Sequence, residues 1–241
     1  MKKRVFLSAK WEYLAMLNYV VDPSVLAPHI PTGTVLDLWQ GKALVSVVGF
    51  MFSDTRVLGV KWPYHTHFEE VNLRYYIKQV GAEEKSGVGF VSEIVPRSII
   101  ATMANKLYNE HYRALPMGHT HDLAGDEITI AYKWKHNKKW DSLSVSALNK
   151  LQDIQPGSEE EFILEHYWGY NLLTPTTSVA YAVEHPRWQV FPVTSFTLDA
   201  NIEKLYGKEF APFIQGITPQ SVFLAKGSEI IVRRPERITA P

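Results

Sequence analysis

The chain has 241 residues, 46% of them hydrophobic, which is enough apolar material for one large domain or two small ones. Basic and acidic residues number 25 each, so no long-range field favours nucleic acid or an anionic membrane. The absence of cysteine excludes disulfides, zinc thiolate sites, iron–sulfur clusters and thiol nucleophiles, and fits a cytoplasmic protein.

The first residues, MKKRVFLSAKWEYL, begin like a signal peptide, but Lys10 and Glu12 interrupt the apolar run before an h-region forms. The longest apolar run, residues 43–52, is far short of the ~20 residues a spanning helix needs. The reading is a soluble, unprocessed, cytoplasmic chain. Residues 11–21 read as a strand. Asp22 then caps a short helix with Pro23 at its first position, and Pro28 and Pro31 stop it. Residues 35–40 and 42–52 read as two strands of a hairpin about Gly41, the second valine-rich and central. Residues 53–62 read as a loop.

Residues 62–78, WPYHTHFEEVNLRYYIK, alternate most cleanly. Val71, Leu73, Tyr75 and Ile77 make an apolar face, and Glu70, Asn72, Arg74, Tyr76 and Lys78 a polar one. Two readings follow: an antiparallel strand with one wet face, or a strand whose polar face lines an enclosed cavity. Residues 81–86 are a charged turn, 88–95 a strand ended by Pro96, and 98–108 an amphipathic helix marked by Ile99, Ile100, Met103, Ala104 and Leu107. Residues 112–117 suit a short strand.

Residues 126–136 and 140–148 read as a hairpin turning at Asn137-Lys138, with Lys133, Lys135, Lys138 and Lys139 as a solvated tip. Ser158 and Glu161 have capping-box spacing, so a helix runs to about residue 167. Strands follow at 169–173, 178–184 and 188–193, then a brief helix at 201–207. Residues 220–226 and 229–233 read as a closing hairpin around Gly227, and 235–241 as a loose end. About ten strands and four short helices without βαβ rhythm predict one β-dominated α+β domain over 1–241. Its mostly antiparallel sheet is closed or nearly closed, with helices outside.

P-loop, post-strand GxGxxG, GxSxG and HExxH signatures are absent. His65 with His67, and His119 with His121, have metal-ligand spacing on a strand. Only two residues separate His67 from Glu70, one or two fewer than a cupin site needs, so no metal and no cofactor are expected. Acid–base chemistry would fall to Glu70, with Arg74 on the same strand face as its compensating partner, and next to Glu93. Trp11, Tyr64, Tyr76, Tyr112, Trp168 and Trp188 are candidates to line a pocket, with core packing as the alternative.

The ordered segments LAPHIPTG, PYHTHFEEVNLRYYI, GVGFVSEIVPR, LYNEHYRALPM, EEFILEHYWGY, EHPRWQV and SVFLAKGSEIIVRRP carry a resemblance across nearly the whole chain. It is similar to the YqjF-like family, uncharacterised proteins with a domain of unknown function in the acetoacetate decarboxylase-like superfamily. The resemblance implies a large sheet closed into a cone or barrel around a central pocket, with peripheral helices. The decarboxylase itself uses an imine-forming lysine after its helix. The matching place here, residues 108–113, reads YNEHYR, Lys106 falls within the predicted helix, and the catalytic lysine is not carried over. The expectation is a small-molecule-binding protein lacking the Schiff-base lysine, a sensor or carrier of small organic acids or aromatics. The alternatives are an enzyme acting on a keto acid or lactone through Glu70 and Arg74, and a protein-interaction scaffold. The expected ligand-binding residues are Glu70, Asn72, Arg74, Tyr76, His111, Tyr112 and Arg113. The expected partner is a small organic ligand, not nucleic acid or membrane, with homo-oligomerisation left open.

Overall fold

In the computed structural model, residues 4–81, 85–98 and 112–239 are described. The strands among them are β1 (Val5–Val21), β2 (Thr34–Leu36), β3 (Ala43–Val57), β4 (Phe68–Gln79), β5 (Lys85–Val95), β6 (Tyr112–Ala114), β7 (Met117–Asp122) and β8 (Glu127–His136). They continue with β9 (Lys139–Leu148), β10 (Gln152–Asp153), β11 (Trp168–Thr174), β12 (Thr177–Glu184), β13 (Gln189–Phe191), β14 (Val193–Asp199), β15 (Ser221–Arg233) and β16 (Glu236–Thr239). Short helices α1 (Pro23–Leu26), α2 (Glu159–Leu164), α3 (Ile202–Tyr206) and α4 (Ala211–Ile214), with a 3₁₀ turn at Ala27–His29 after α1, complete them.

The main sheet runs β10-β13-β15-β1-β3-β4-β5-β11-β12-β16, with β2 beside β4 and β6 beside β5. β12 also pairs with β15 through Val183↔Val232 and Glu184↔Ile231. A second sheet runs β14-β9-β8-β7. The odd face of β4 explains the layering. Val71, Leu73, Tyr75 and Ile77 are buried in one core with Ile128, Ile130, Tyr132 and Trp134 of β8 and Leu143, Val145 and Ala147 of β9. Burying each of the valine, leucine and isoleucine side chains among them contributes about 1.5–3 kcal/mol. Gly49 of β3 permits the close approach: a Cβ there would lie 2.7 Å from Tyr132 Cδ2. On the opposite side of the main sheet a second core gathers Leu14, Met16, Val48, Phe50, Phe52 and Phe68.

Several expectations hold. β8 and β9 form the hairpin, with Asn137 and Lys138 both at positive φ and His136 paired to Lys139, as a two-residue primed turn requires. The Asp22 carboxylate accepts from Ser24 N at 2.8 Å, and Ser158 Oγ from Glu161 N at 3.2 Å.

Others are corrected. β2 does not pair with β3 but with β4, through Thr34↔Gln79 and Leu36↔Ile77, because β1 and β4 already occupy both edges of β3. A single Trp39–Lys42 bridge spans the Gly41 turn. β3 continues through residues expected to be loop, to Val57. Residues 221–233 are one strand along β1, not a hairpin. Gly227, at φ 78°, stands opposite Glu12 beside the positive-φ Tyr13, so its left-handed backbone serves an irregularity within the ladder, not a reversal. The expected loose end forms β16 against β12, and β14 is a further strand not read from the pattern. α2 ends at Leu164, short of residue 167. The helix expected over 98–108 lies outside the described residues save Ser98.

Candidate functional site

The even side chains of β4 answer the question its alternation left open. Phe68, Glu70, Asn72 and Arg74 line a cavity of about 290 Å³. Trp11 and Leu14 of β1, Phe50 and Phe52 of β3, Val88 and Phe90 of β5, and Tyr181 and Val183 of β12 form much of the rest. Trp62, Pro63 and His65, from the segment before β4, also line it. Phe50 stands opposite Glu70 and Phe52 opposite Phe68, so a correct β3–β4 register would have placed both phenylalanines on the cavity face. Nothing in the local pattern marks His166, which also lines it.

Glu70 is almost fully buried. Its Oε1 accepts from Asn72 Nδ2 at 2.9 Å and its Oε2 from the Tyr112 hydroxyl at 2.9 Å. Burial pushes its carboxyl up to about 7, while these two hydrogen bonds pull the other way. A group so poised suits proton transfer near neutral pH. Glu93 of β5, in register with Asn72 and with Tyr112, is a second buried carboxyl on the cavity wall. Asn72 is 2% exposed, and its Oδ1 has no hydrogen-bond partner among the described residues.

Arg74 does not compensate Glu70. No ion pair joins them; the guanidinium donates instead to Ile163 O at 3.2 Å and the Tyr76 hydroxyl at 3.3 Å, and lies 5.4 Å from the Tyr76 ring centroid. The reason is the rise of a strand: four residues span ~13 Å, so same-face neighbours two apart can meet and those four apart cannot. Glu70 accordingly bonds Asn72.

Tyr76 shares the even face but does not line the cavity. Its hydroxyl meets Ser46 Oγ at 2.5 Å and its ring packs on Phe162 and His166. Tyr112 lines the cavity, while Arg113, the next residue along β6, is not among the lining and lies near Tyr206, whose hydroxyl it influences. His111 lies outside the described residues. Among the expected pocket aromatics, Trp11, Tyr112 and Trp168 are in the lining, whereas Tyr64 and Trp188 are not.

The histidine pairs separate. His65 Nδ1 lies 2.7 Å from Pro63 O at the cavity, and His67 is exposed. On β7 the rings of His119 and His121 are 4.9 Å apart. His119 Nδ1 lies 2.7 Å from Glu69 Oε1, and His121 Nε2 lies 3.2 Å from the Tyr132 hydroxyl. Burial, then the neighbouring His119 charge, pushes His121 down to about 4. Among the described residues no three His, Asp or Glu side chains are grouped to hold a metal ion, and no helix is long and apolar enough to cross a membrane.

The fold is that of acetoacetate decarboxylase-like proteins. The acetoacetate decarboxylase of Legionella pneumophila subsp. pneumophila str. Philadelphia 1 superposes with a TM-score of 0.65 at 11% identity, over 99% of this chain and 90% of that one. The enduracididine biosynthesis enzyme MppR, complexed with the condensation product of pyruvate and imidazole 4-carboxaldehyde, gives 0.67 at 12% identity, over 97% and 89%. An acetoacetate decarboxylase-like enzyme from Sphingomonas wittichii RW1 gives 0.65 at 9%, over 99% and 95%. In sequence, the uncharacterized protein YqjF of Bacillus subtilis (strain 168) is 27% identical over 130 residues, 54% of this chain, and the match spans 52% of that protein. A model of the family DUF2071, described as an uncharacterized conserved protein, matches residues 8–229, and the chain belongs to this family.

Proposed function

We propose that the cavity binds a small organic acid with an apolar body, and that Arg74 holds its carboxylate. One observation carries this reading. A guanidinium, always charged, enters a cavity walled mainly by aromatic and aliphatic carbon, and no carboxylate pairs with it among the described residues. A half-buried cation facing apolar carbon without an anion is costly, and a ligand carboxylate supplies the missing charge in bidentate geometry. The volume lies near the lower end of the ~300–1,000 Å³ usual for ligand sites, which suits a compact acid. The structural neighbour MppR, crystallised with pyruvate and with a pyruvate condensation product, supports the ligand class. The cycle of pairings β15-β1-β3-β4-β5-β11-β12-β15 supports a sheet closed around that cavity within a single domain.

A second reading is favoured by Glu70. A buried carboxyl near 7, on the same face of β4 as the Arg74 that holds the anion, is suited to move a proton on a keto acid or lactone without an imine. The described cavity lining includes no lysine, and neither reading uses one. Trp11, Trp62 and Trp168 line the cavity, so ligand entry is readable by intrinsic fluorescence. Saturable quenching by small organic acids, lost in Arg74→Leu, is expected; no response to any acid would reject the reading. Keto acid with borohydride should leave no mass adduct. An adduct on any lysine would make this an imine-forming enzyme.

A further inference from the structure

Resting on the carboxylate-binding reading above, we infer that the ligand is a hydroxy acid: it carries a hydroxyl on one of the first two carbons beyond its carboxylate, and the cavity selects for that hydroxyl. The argument follows the polar groups of the wall in order along β4. Glu70, Asn72 and Arg74 stand one face-step apart, about 6.6 Å each along the strand. Arg74 offers only donors. Moving away from it, the next polar side chain is Asn72. Its Nδ2 is already given to Glu70 Oε1, and its Oδ1 has no donor among the described residues, in a residue only 2% exposed. Beside it in register on β5 is the Glu93 carboxyl, and beyond it Glu70, whose two oxygens both act as acceptors.

The wall next to the carboxylate anchor is therefore dominated by oxygen acceptors. Unmet acceptors inside a protein are rare and call for a partner. Water that meets Asn72 Oδ1 in the free cavity is displaced when a ligand enters, and a hydroxyl is the ligand group that reproduces its donated proton. A ligand hydroxyl meets Asn72 Oδ1 with its proton. A ligand keto oxygen at the same place would face oxygen with oxygen, and a plain methylene would leave the acceptor unmet. A site built to bond a hydroxyl discriminates strongly against analogues lacking it.

The test uses the full chain, tryptophan fluorescence titration and matched acids of one carbon frame. Mandelate, phenylglyoxylate and phenylacetate differ only in bearing a hydroxyl, a non-enolisable keto group or neither. 3-Hydroxy-3-phenylpropanoate and 3-phenylpropanoate move the hydroxyl one carbon further out. In at least one set the hydroxy acid should bind about tenfold or more tighter than its partners. In Asn72→Leu that preference should fall below about twofold. Saturable binding in which deoxy or keto acids match the hydroxy acid in both sets overturns the inference and leaves the carboxylate reading standing. A preference that survives in folded Asn72→Leu also overturns it, because the hydroxyl would then have another partner. No binding by any acid brings down the carboxylate reading and the inference together. Should Asn72→Leu fail to fold, the wild-type comparison decides alone.

Discussion

Glu70→Gln tests the electrostatic core of the site. In the folded chain the Glu70 carboxyl titrates near 7, against 4.5 for an ordinary glutamate, chiefly because burial penalises the anion. The difference of about 2.5 units, at ~1.36 kcal/mol each, amounts to about 3 kcal/mol of destabilisation once the group is ionised. The direction follows from proton binding. Between 4.5 and 7 the folded chain holds the Glu70 proton while the unfolded chain has released it, so stability falls as pH rises through that window and levels off above it. Glutamine cannot ionise and escapes the penalty. It also fits locally: Tyr112 keeps an acceptor, and the Asn72 amide can turn over to present its oxygen to the new Nε2. The stability of Glu70→Gln relative to wild type should therefore rise by about 2–3 kcal/mol between about pH 5 and about pH 8.5, read from urea unfolding curves. Taking the difference cancels every other titrating group. A gap constant with pH would show that Glu70 titrates as a solvated carboxylate, and the enclosed cavity would have to be abandoned.

Three further outcomes follow from the same geometry. A double-mutant cycle of Glu70→Gln with Arg74→Ala should give a coupling below about 1 kcal/mol, because the two positions are ~13 Å apart; several kcal/mol would restore a direct ion pair. Gly49→Ala should lower stability by about 1–3 kcal/mol, since its methyl would approach Tyr132 Cδ2 to 2.7 Å and Leu143 Cδ2 to 3.2 Å; an unchanged melting temperature would mean the two sheets are not so closely packed. His121 should stay neutral until about pH 4, as followed by NMR of its ring. Its folded value lies below the unfolded 6.5, so stability present above 6.5 is lost as pH falls toward 4, and a ring that charges near 6.5 would contradict its burial.

The local periodicities were readable from the chain alone. The two-residue rhythm of 68–79, the Asn137-Lys138 reversal, and the Asp22 and Ser158 caps each depend on groups within a few residues of one another. The same locality explains the misreadings. Gly227 announces a positive φ, but whether that φ turns the chain or relieves a ladder depends on β1, more than 200 residues away. Tyr112 and Arg113 are chemically both good ligand contacts, and only the direction of β6 beside β5 sends one to the cavity and its neighbour away. Spacing Glu70 from Arg74 by four residues suggested a pair, but strand rise forbids the contact and hands Glu70 to Asn72. What the sequence by itself determined is which side chains share a face of β4, because alternation is a property of neighbouring residues. Only the tertiary structure decided that this face meets a cavity and not water. The residues that exclude water from it, such as Trp11, Tyr181 and Val232, come from strands remote in the chain, and it is their approach that lowers the dielectric around Glu70.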